Sequence, residues 1–194
     1  MTIGVLAVQG DVREHLRTLA WLAVEGRPVR RCDHLVGLDG IILPGGESTA
    51  MWRLMTATGL ADAIRRAILA GLPAFGTCAG MILLAREITN WPETFLGALD
   101  IAVERNATGR QVDSFEARVV ANGLGELPAV FIRAPAVRAL GPGVRAVGRL
   151  GDEPVLVQQG PLLAASFHPE LTGDTRVHEL FIQMCRKGEP WQHG

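Results

Sequence analysis

The chain has 194 residues, of which 48% are hydrophobic and 20% are charged, and its 19 basic and 20 acidic residues leave a formal net charge of −1. These values predict a single globular domain spanning residues 1–194, and the lack of a dense basic block argues against a nucleic-acid partner. The sequence has no apolar run of about 18 residues that could span a membrane, no signal-peptide pattern at its start and an odd number of cysteines, three in all, so we expect a cytoplasmic protein.

The first half of the sequence alternates short apolar runs with segments of helical periodicity. The apolar runs are typical of strands buried on both faces of a parallel sheet, and the periodic segments are typical of amphipathic helices. In chain order this predicts a strand at Ile3–Val8, a helix from Val12 that Asp11 caps and Gly26 ends, strands at Pro28–Arg31 and Gly40–Leu43, helices at Ser48–Met55 and Leu60–Ala70, and a strand over Pro73–Phe75.

From about Gly97 the pattern changes to short β-like runs separated by turn residues. Such runs are found at Leu99–Val103, Phe115–Val120, Ala129–Ile132, Val144–Val147, Pro154–Val157 and Leu162–Ser166. A final helix is predicted over Asp174–Lys187, with Cys185 on its apolar stripe and therefore in the core, and we expect the tail at 188–194 to be mobile.

Together these elements predict a three-layer α/β sandwich with a central, mostly parallel sheet, helices on both faces and antiparallel strands in the second half. In such folds functional groups collect at the edge where the parallel strands end. Gln9, the Gly45-Gly46 turn and Cys78 each follow a predicted strand. We therefore expect them to lie at one edge of the sheet.

The pentapeptide Gly76-Thr77-Cys78-Ala79-Gly80 has the pattern of a nucleophile elbow, a sharp turn between a strand and a helix. Such a turn needs small residues two positions before and after the central one, and it sets the sulfur over the first turn of a helix, whose free N–H groups favour a thiolate. Cys78 is therefore the candidate nucleophile. The alternative is a buried cysteine that lies between two glycines by chance.

A catalytic cysteine needs a base, and of the five histidines only His168 directly follows a strand-like run. Glu170 lies two positions later, so its carboxylate can turn back to orient the imidazole and stabilise its cation. The alternative is that His168, Pro169 and Glu170 form a solvated surface turn.

The oxyanion formed when a thiolate attacks a carbonyl needs hydrogen-bond donors, and backbone N–H groups can supply them. Ala79 follows the nucleophile, and Gly46 lies in an unshielded turn at another strand end, so their N–H groups are the predicted oxyanion hole. The turn Pro44–Thr49 also has some likeness to a phosphate-binding loop, although it lacks the lysine and the spacing of a P-loop.

These motifs together resemble the class I (triad) glutamine amidotransferase family, whose flavodoxin-like glutaminase domains carry a Gly-x-Cys-x-Gly elbow, a Pro-Gly-Gly turn and a late His-Pro-Glu. The resemblance is narrower to the glutaminase subunits of pyridoxal 5′-phosphate synthases, in segments that run from the first strand almost to the last helix. These segments are Gly4–Gly10 with Arg13–His15, Leu43–Thr49, Gly76–Gly80, Arg110–Glu116, Phe131–Pro135 and Ser166–Thr172.

The resemblance implies that Cys78 is the nucleophile, His168 the acid and base, and Glu170 the carboxylate that orients it. It further implies a glutamine pocket lined by Gly46, Glu47, Ser48, Arg105, Ile132 and Arg133. Arginine suits this task because its guanidinium can grip the α-carboxylate of glutamine in a bidentate fork. The two arginines could instead be ordinary surface residues.

No metal or cofactor is implied by the resemblance. Cys32 and His34 form at most half of a zinc site, because no second close pair of ligands is present in the sequence. Thr108 departs from the family pattern, in which a bulkier residue is expected between Asn106 and Gly109. This departure concerns the packing of the loop rather than the chemistry.

The resemblance also implies a partner, the lyase subunit of pyridoxal 5′-phosphate synthase, with residues near Gln9, Gly10 and His15 at the interface and low activity before the partner docks. Three alternatives remain at this point. The chain could be a glutaminase that serves imidazole glycerol phosphate or another synthase, a cysteine peptidase or general hydrolase, or a binding subunit that has kept the fold without catalysis.

Overall fold

The computed structural model describes residues 1–106 and 114–187 and contains, within them, twelve strands and five α-helices. The strands are β1 (Thr2–Leu6), β2 (Glu25–Val29), β3 (Gly40–Leu43), β4 (Ala74–Thr77), β5 (Ala85–Ile88), β6 (Leu99–Glu104), β7 (Ser114–Ala121), β8 (Gly125–Ile132), β9 (Ala136–Leu140), β10 (Arg145–Leu150), β11 (Glu153–Gln159) and β12 (Leu162–Ala165). The helices are α1 (Val12–Trp21), α2 (Ser48–Ala57), α3 (Leu60–Leu69), α4 (Ala79–Leu84) and α5 (Arg176–Lys187), with 3₁₀ turns at Cys32–Leu35 and Pro169–Leu171.

The large sheet has nine strands in the order β2-β1-β3-β4-β12-β11-β10-β7-β8. From β2 to β12 all neighbours are parallel, and from β12 to β8 all neighbours are antiparallel. The predicted α/β fold, with a parallel first half and an antiparallel second half, is confirmed. The late strand β12 lies between β4 and β11, so it runs beside the strand that carries the cysteine elbow.

Helices cover both faces of the parallel half, which explains the continuous apolar character of its strands. Because successive side chains of a strand point to opposite faces, Ile41 and Leu43 of β3 pack into one core with α2, α3 and α4, whereas Ile42 packs into a second core with α1 and α5. The molecule is therefore built from three layers in this half.

Helix α1 ends earlier than its periodicity predicts. The expected helix continues towards Gly26, but Ala23 adopts a left-handed backbone with φ of 53°, and the N–H of Val24 bonds back to the carbonyl of Leu19 at 3.0 Å. The chain can then enter β2 directly at Glu25, three residues before the predicted strand.

A second, three-stranded sheet of β5, β6 and β9 was only partly predicted, because β5 and β9 give no clear sequence signal. The pairing of β5 with β6 shifts register between Ala85 and Glu87, which breaks the alternation of buried and exposed residues. Strand β9 is partly or fully exposed along its length, so no apolar run marks it.

Cys185 was expected in the core and is instead half-buried against it. Its Sγ lies where Gly40 leaves room, since a Cβ on Gly40 would be 2.5 Å from the sulfur. Burial raises the pKa of the Cys185 thiol to about 12, and the charge of Asp39 acts in the same direction.

The predicted mobile tail at 188–194 and the departure at Thr108 lie outside the described residues, as does the Arg110–Asp113 part of the family motif. Within the described ranges, no helix is both long enough and apolar enough to cross a membrane.

Candidate active site

A cavity of about 410 Å³ lies at the edge where the parallel strands end. Residues that follow β1, β3, β4 and β12 contribute to it, namely Gln9, Gly46, Cys78 and His168. Its other lining residues are Asp11, Glu47, Ser48, Ala79, Ile82, Arg105, Asn106, Ile132 and Arg133. Every site residue predicted from the sequence lines this cavity except Glu170, which lies behind His168.

The cysteine elbow is held in place by close backbone packing. Cys78 has φ of 47° and ψ of −102°, a conformation that L-residues rarely adopt, and its N–H donates to the carbonyl of Ala165 in β12 at 2.8 Å. A Cβ on Gly80 would lie 1.9 Å from the carbonyl oxygen of Leu43, and one on Gly76 would lie 2.5 Å from backbone atoms of Gly80. Both glycines are therefore required by sterics, as the motif predicts.

The sulfur of Cys78 lies at the wall of the cavity, although the residue is only 6% exposed. Its thiol donates to the carbonyl oxygen of Ile132 at an Sγ to oxygen distance of 3.7 Å. Ala79 begins helix α4 directly after the sulfur, and Gly46 lines the same cavity from the end of β3. The two predicted oxyanion donors are thus on the same cavity as the thiol.

His168 is fixed through its backbone and through one ring nitrogen. Its N–H donates to the carbonyl of Val130 at 2.8 Å, and its Nδ1 lies 2.9 Å from Oε1 of Glu170 and 3.2 Å from Oδ2 of Asp11. Within the described part of the chain its Nε2 has no hydrogen-bond partner. That nitrogen is therefore available to the thiol or to a bound substrate.

The electrostatics favour a charged pair of His168 and Glu170. Burial by itself would lower the pKa of His168, but its contacts with Asp11, Cys78 and Glu170 raise that pKa to about 12. Burial would likewise raise the pKa of Glu170, but His15 and His168 bring it well below its usual range. A carboxylate next to an imidazolium is the state that a cysteine-histidine site uses.

Asp11 has a role that the sequence prediction missed. It occupies the position before α1, but its side chain makes no capping bond and instead approaches His168. The adjacent turn leaves room for this contact because residue 45 is glycine. A Cβ on Gly45 would lie 2.3 Å from Cε1 of His168 and 2.8 Å from Oδ2 of Asp11.

Asp11, His168 and Glu170 also present ligand-type atoms within 4.8 Å of one another. The histidine atom in this group is positioned to donate its proton to a carboxylate through Nδ1. The cluster is thus explained by hydrogen bonding and needs no ion.

Glu47 and Arg105 also line the cavity, where they contact each other. The Glu47 carboxylate caps α2 by accepting from the N–H groups of Thr49 at 3.1 Å and Ala50 at 2.6 Å. Arg105 lies 3.3 Å from the same carboxylate, and its guanidinium carbon lies 4.6 Å from the ring centre of Trp91. Because a carboxylate already occupies the N-terminus of α2, the phosphate-loop interpretation is disfavoured.

Backbone strain is concentrated around the cavity. Four non-glycine residues of the described ranges have positive φ, and three of them, Cys78, Asn106 and Arg133, line this cavity. Strain of this kind collects at functional sites because the surrounding fold must hold it in place. Asn106 and Ile82 are lining residues that the sequence did not predict, whereas Gln9 lies at this edge of the sheet as expected.

His15 is not available to a partner protein, contrary to the expectation from the sequence. Its side chain is fully buried and lies 3.5 Å from Oε1 of Glu170. The neighbouring Gln9 and Gly10 are exposed, as an interface would require.

Comparison with known proteins agrees with this geometry. The model of the SNO glutamine amidotransferase family matches residues 5–187. The chain belongs to this family. As a family member it is a glutamine amidotransferase.

Two curated relatives are the proteins named pyridoxal 5′-phosphate synthase subunit PdxT from a Parafrankia species and from Thermus thermophilus. The first is 53% identical over 95% of this chain and 93% of its own length. The second is 55% identical over 94% of this chain and 97% of its own length. A solved structure described as a glutamine amidotransferase is 52% identical, with a TM-score of 0.92 over 95% of this chain and 98% of its own.

Proposed function

We propose that this amidotransferase hydrolyses L-glutamine to L-glutamate and ammonia through Cys78, His168 and Glu170, and passes the ammonia to the lyase subunit of a pyridoxal 5′-phosphate synthase. The observation that carries the proposal is the shared cavity, in which a strained cysteine and a carboxylate-held histidine meet at the ends of two paired parallel strands. The names of relatives that are 53% and 55% identical support the choice of synthase.

In the proposed reaction the Cys78 thiolate attacks the side-chain amide carbon of glutamine and forms a carbon–sulfur bond. The oxygen of that amide becomes an oxyanion, which accepts hydrogen bonds from the backbone N–H groups of Gly46 and Ala79. His168 then donates its Nε2 proton to the departing nitrogen, the carbon–nitrogen bond breaks, and ammonia leaves.

The second half of the reaction releases the γ-glutamyl group. His168, now neutral at Nε2, takes a proton from a water molecule that attacks the thioester. The carbon–sulfur bond breaks, glutamate leaves, and the thiolate is restored. Glu170 keeps the proton on Nδ1 throughout, so that Nε2 remains the atom that exchanges protons.

In this proposal Arg105 and Arg133 bind the α-carboxylate of glutamine. Nη1 of Arg105 is buried and has no hydrogen-bond partner among residues 1–106 and 114–187, so a carboxylate would satisfy it. Arg133 is exposed at the cavity wall and adds a second positive charge. Ser48 and Ile132 complete the wall beside them.

A partner that receives the ammonia is part of the proposal, because ammonia released into water at neutral pH would mostly be protonated and lose its nucleophilic lone pair. Gln9 and Gly10 are exposed next to the cavity and are the proposed contact residues. We place this assembly in the cytoplasm, since Cys32, Cys78 and Cys185 are all free thiols.

The test is glutamate release from glutamine by the native chain, with and without the lyase subunit. The Cys78→Ala variant should lose about 10⁴-fold or more of kcat, since it lacks the attacking atom. The matched control is Cys32→Ala, which removes an exposed sulfur far from the cavity and should keep native activity. Undiminished turnover in Cys78→Ala, or cleavage of peptides in place of glutamine, would refute the proposal.

A further inference from the structure

A chain of buried hydrogen bonds continues behind Glu170, on the side away from the cavity. Nε2 of His15 lies 3.2 Å from Oγ1 of Thr77 and 3.5 Å from Oε1 of Glu170, and the Thr77 hydroxyl lies 3.4 Å from the same oxygen. Nδ1 of His15 lies 2.9 Å from Nε2 of His178. Both of these histidines are fully buried.

The contacts made by Glu170 converge on one oxygen of its carboxylate. Oε1 of Glu170 faces His168, Thr77 and His15, whereas Oε2 is buried and has no hydrogen-bond partner in the part of the chain that the structure describes. A carboxylate held by a single oxygen can turn about its terminal bond unless its donors come from several directions. Here they come from α1, from β4 and from His168, directly before the 3₁₀ turn that follows β12.

The proton positions follow from the chemistry of the acceptor. Glu170 is ionised and can only accept, so Nε2 of His15 carries a proton that it donates towards Oε1 or the Thr77 oxygen. Burial lowers the pKa of His178 to about 3, so His178 is neutral. Its single ring proton lies on Nε2 and points to Nδ1 of His15, which leaves Nδ1 of His178 bare, in line with its lack of a partner among the described residues.

We propose that His15 is a positioning residue for the proposed triad: it holds the Glu170 carboxylate from behind, and His178 fixes the tautomer of His15 that makes this possible. The inference rests on the proposed function of Cys78, His168 and Glu170. It assigns a role to two buried histidines, from helices near opposite ends of the sequence, that the reaction itself does not use. His15 touches neither the cavity nor the reacting atoms.

The first test compares His15→Leu with His15→Gln in the complex with the lyase subunit. Leucine removes the donor, whereas the glutamine amide nitrogen can take the place of Nε2. We expect His15→Leu to lower kcat about tenfold with KM for glutamine within about twofold, and His15→Gln to recover most of the loss. His34→Leu is the matched control, because His34 lies outside the cavity and bonds to the carbonyl of Pro28.

The pH profile of kcat provides a readout that a structural role would not change. Glu170 faces His15, Thr77 and His168, and His168 in turn faces Asp11 and Cys78. His15 lowers the pKa of Glu170, so its removal should raise that pKa and move the acid limb of the profile to higher pH. Native kcat and pH profile in His15→Leu, or equal losses in the Leu and Gln variants, would overturn the proposal.

A second test needs no substitution and so does not depend on a variant that folds. In native protein labelled with ¹⁵N-histidine, NMR shifts should show His178 protonated at Nε2 and bare at Nδ1. The opposite tautomer would overturn the assignment. If Cys78→Ala abolishes glutaminase activity, the proposed function stands by itself, and an unchanged kcat in His15→Leu then counts against His15 alone.

Discussion

The residues that line the cavity fall into two groups, the proposed chemical groups at the cysteine end and the proposed binding groups, and different parts of the fold hold them. At the cysteine end, Cys78 and His168 follow β4 and β12, which are parallel neighbours, and Glu170 is almost completely buried. The proposed binding groups Arg105 and Arg133 follow β6 and β8, which belong to different sheets, and Arg133 is exposed. The sheet thus fixes the proposed chemical groups, whereas turns fix the proposed binding groups. Substitutions of the chemical groups should therefore change kcat, and substitutions of the binding groups should change KM.

The largest effect is expected from a substitution that disrupts the backbone packing around Cys78. A Gly80→Ala substitution would place a Cβ 1.9 Å from the backbone oxygen of Leu43, where no flexible side chain can yield. We expect loss of the folded elbow, measured as loss of glutaminase activity with a clearly lower Tm. Gly160→Ala is the control, because its φ of 52° carries some strain but nothing lies within 4 Å, and it should keep full activity. A Gly80→Ala protein with native Tm and kcat would contradict this account of the elbow.

The next largest effect is expected from a substitution of His168, which should change kcat and leave glutamine binding almost unchanged. His168→Asn keeps a polar side chain of similar reach but removes the nitrogen that exchanges protons. We expect kcat to fall about 10³-fold to 10⁴-fold with little change in glutamine affinity, measured by steady-state kinetics and calorimetry. Loss of glutamine affinity instead of kcat would mean that His168 shapes the pocket and that the chemical and binding groups do not act separately.

A substitution of Arg105, one of the proposed binding groups, should instead raise KM and leave kcat almost unchanged. Arg105→Lys keeps the positive charge but loses the planar fork and the stacking on Trp91. We expect KM for glutamine to rise about tenfold with kcat within about twofold, since roughly one charge-assisted hydrogen bond is lost. Arg86→Lys, at an exposed ion pair with Asp100, is the control. A fall in kcat as large as the rise in KM would show that Arg105 also aligns the reacting amide.

The smallest effect concerns stability and pH. The pKa of Glu170 is lowered from its ordinary 4.5. Its contribution to the free energy of unfolding is therefore fully present above pH 4.5 and is lost as the pH falls below that value. The pKa of His168 is raised from 6.5 to about 12. Its contribution to the free energy of unfolding is therefore complete below pH 6.5 and is lost progressively as the pH rises towards 12. The two contributions are therefore largest together between pH 4.5 and 6.5.

Thermal unfolding of native protein and of Glu170→Gln checks this window. The difference in Tm should be greatest between pH 4.5 and 6.5 and should shrink on both sides. Glu153→Gln, at an exposed position, should give a difference that hardly changes with pH. A Glu170→Gln difference that is equally flat would contradict the charged pair.

The residues at strand ends could be predicted from the sequence because their constraints are local. Gly76 and Gly80 must be small for reasons that lie within a few residues, and a histidine directly after a short apolar run marks a strand end. The bounds of β3 followed from its apolar composition and match the prediction at both ends. These features were enough to predict that Cys78 and His168 lie on the same cavity.

Other features could not be predicted, because they depend on contacts between distant segments. Asp11 has the sequence signature of a helix cap, and only the tertiary fold brings it to His168. His15 on α1 meets His178 on α5 only after both helices pack on the same face of the sheet. No local pattern distinguishes such histidines from exposed ones.

The position of β12 between β4 and β11 also determines when the protein can become active during its synthesis. Cys78 emerges from the ribosome long before residues 162–170, and until then the sulfur lacks both its imidazole and the neighbouring strand that holds the elbow. A nascent or prematurely terminated polypeptide therefore carries an ordinary thiol. Unfinished copies would leave the cellular glutamine supply intact, because amide cleavage begins only when the last strand has been inserted.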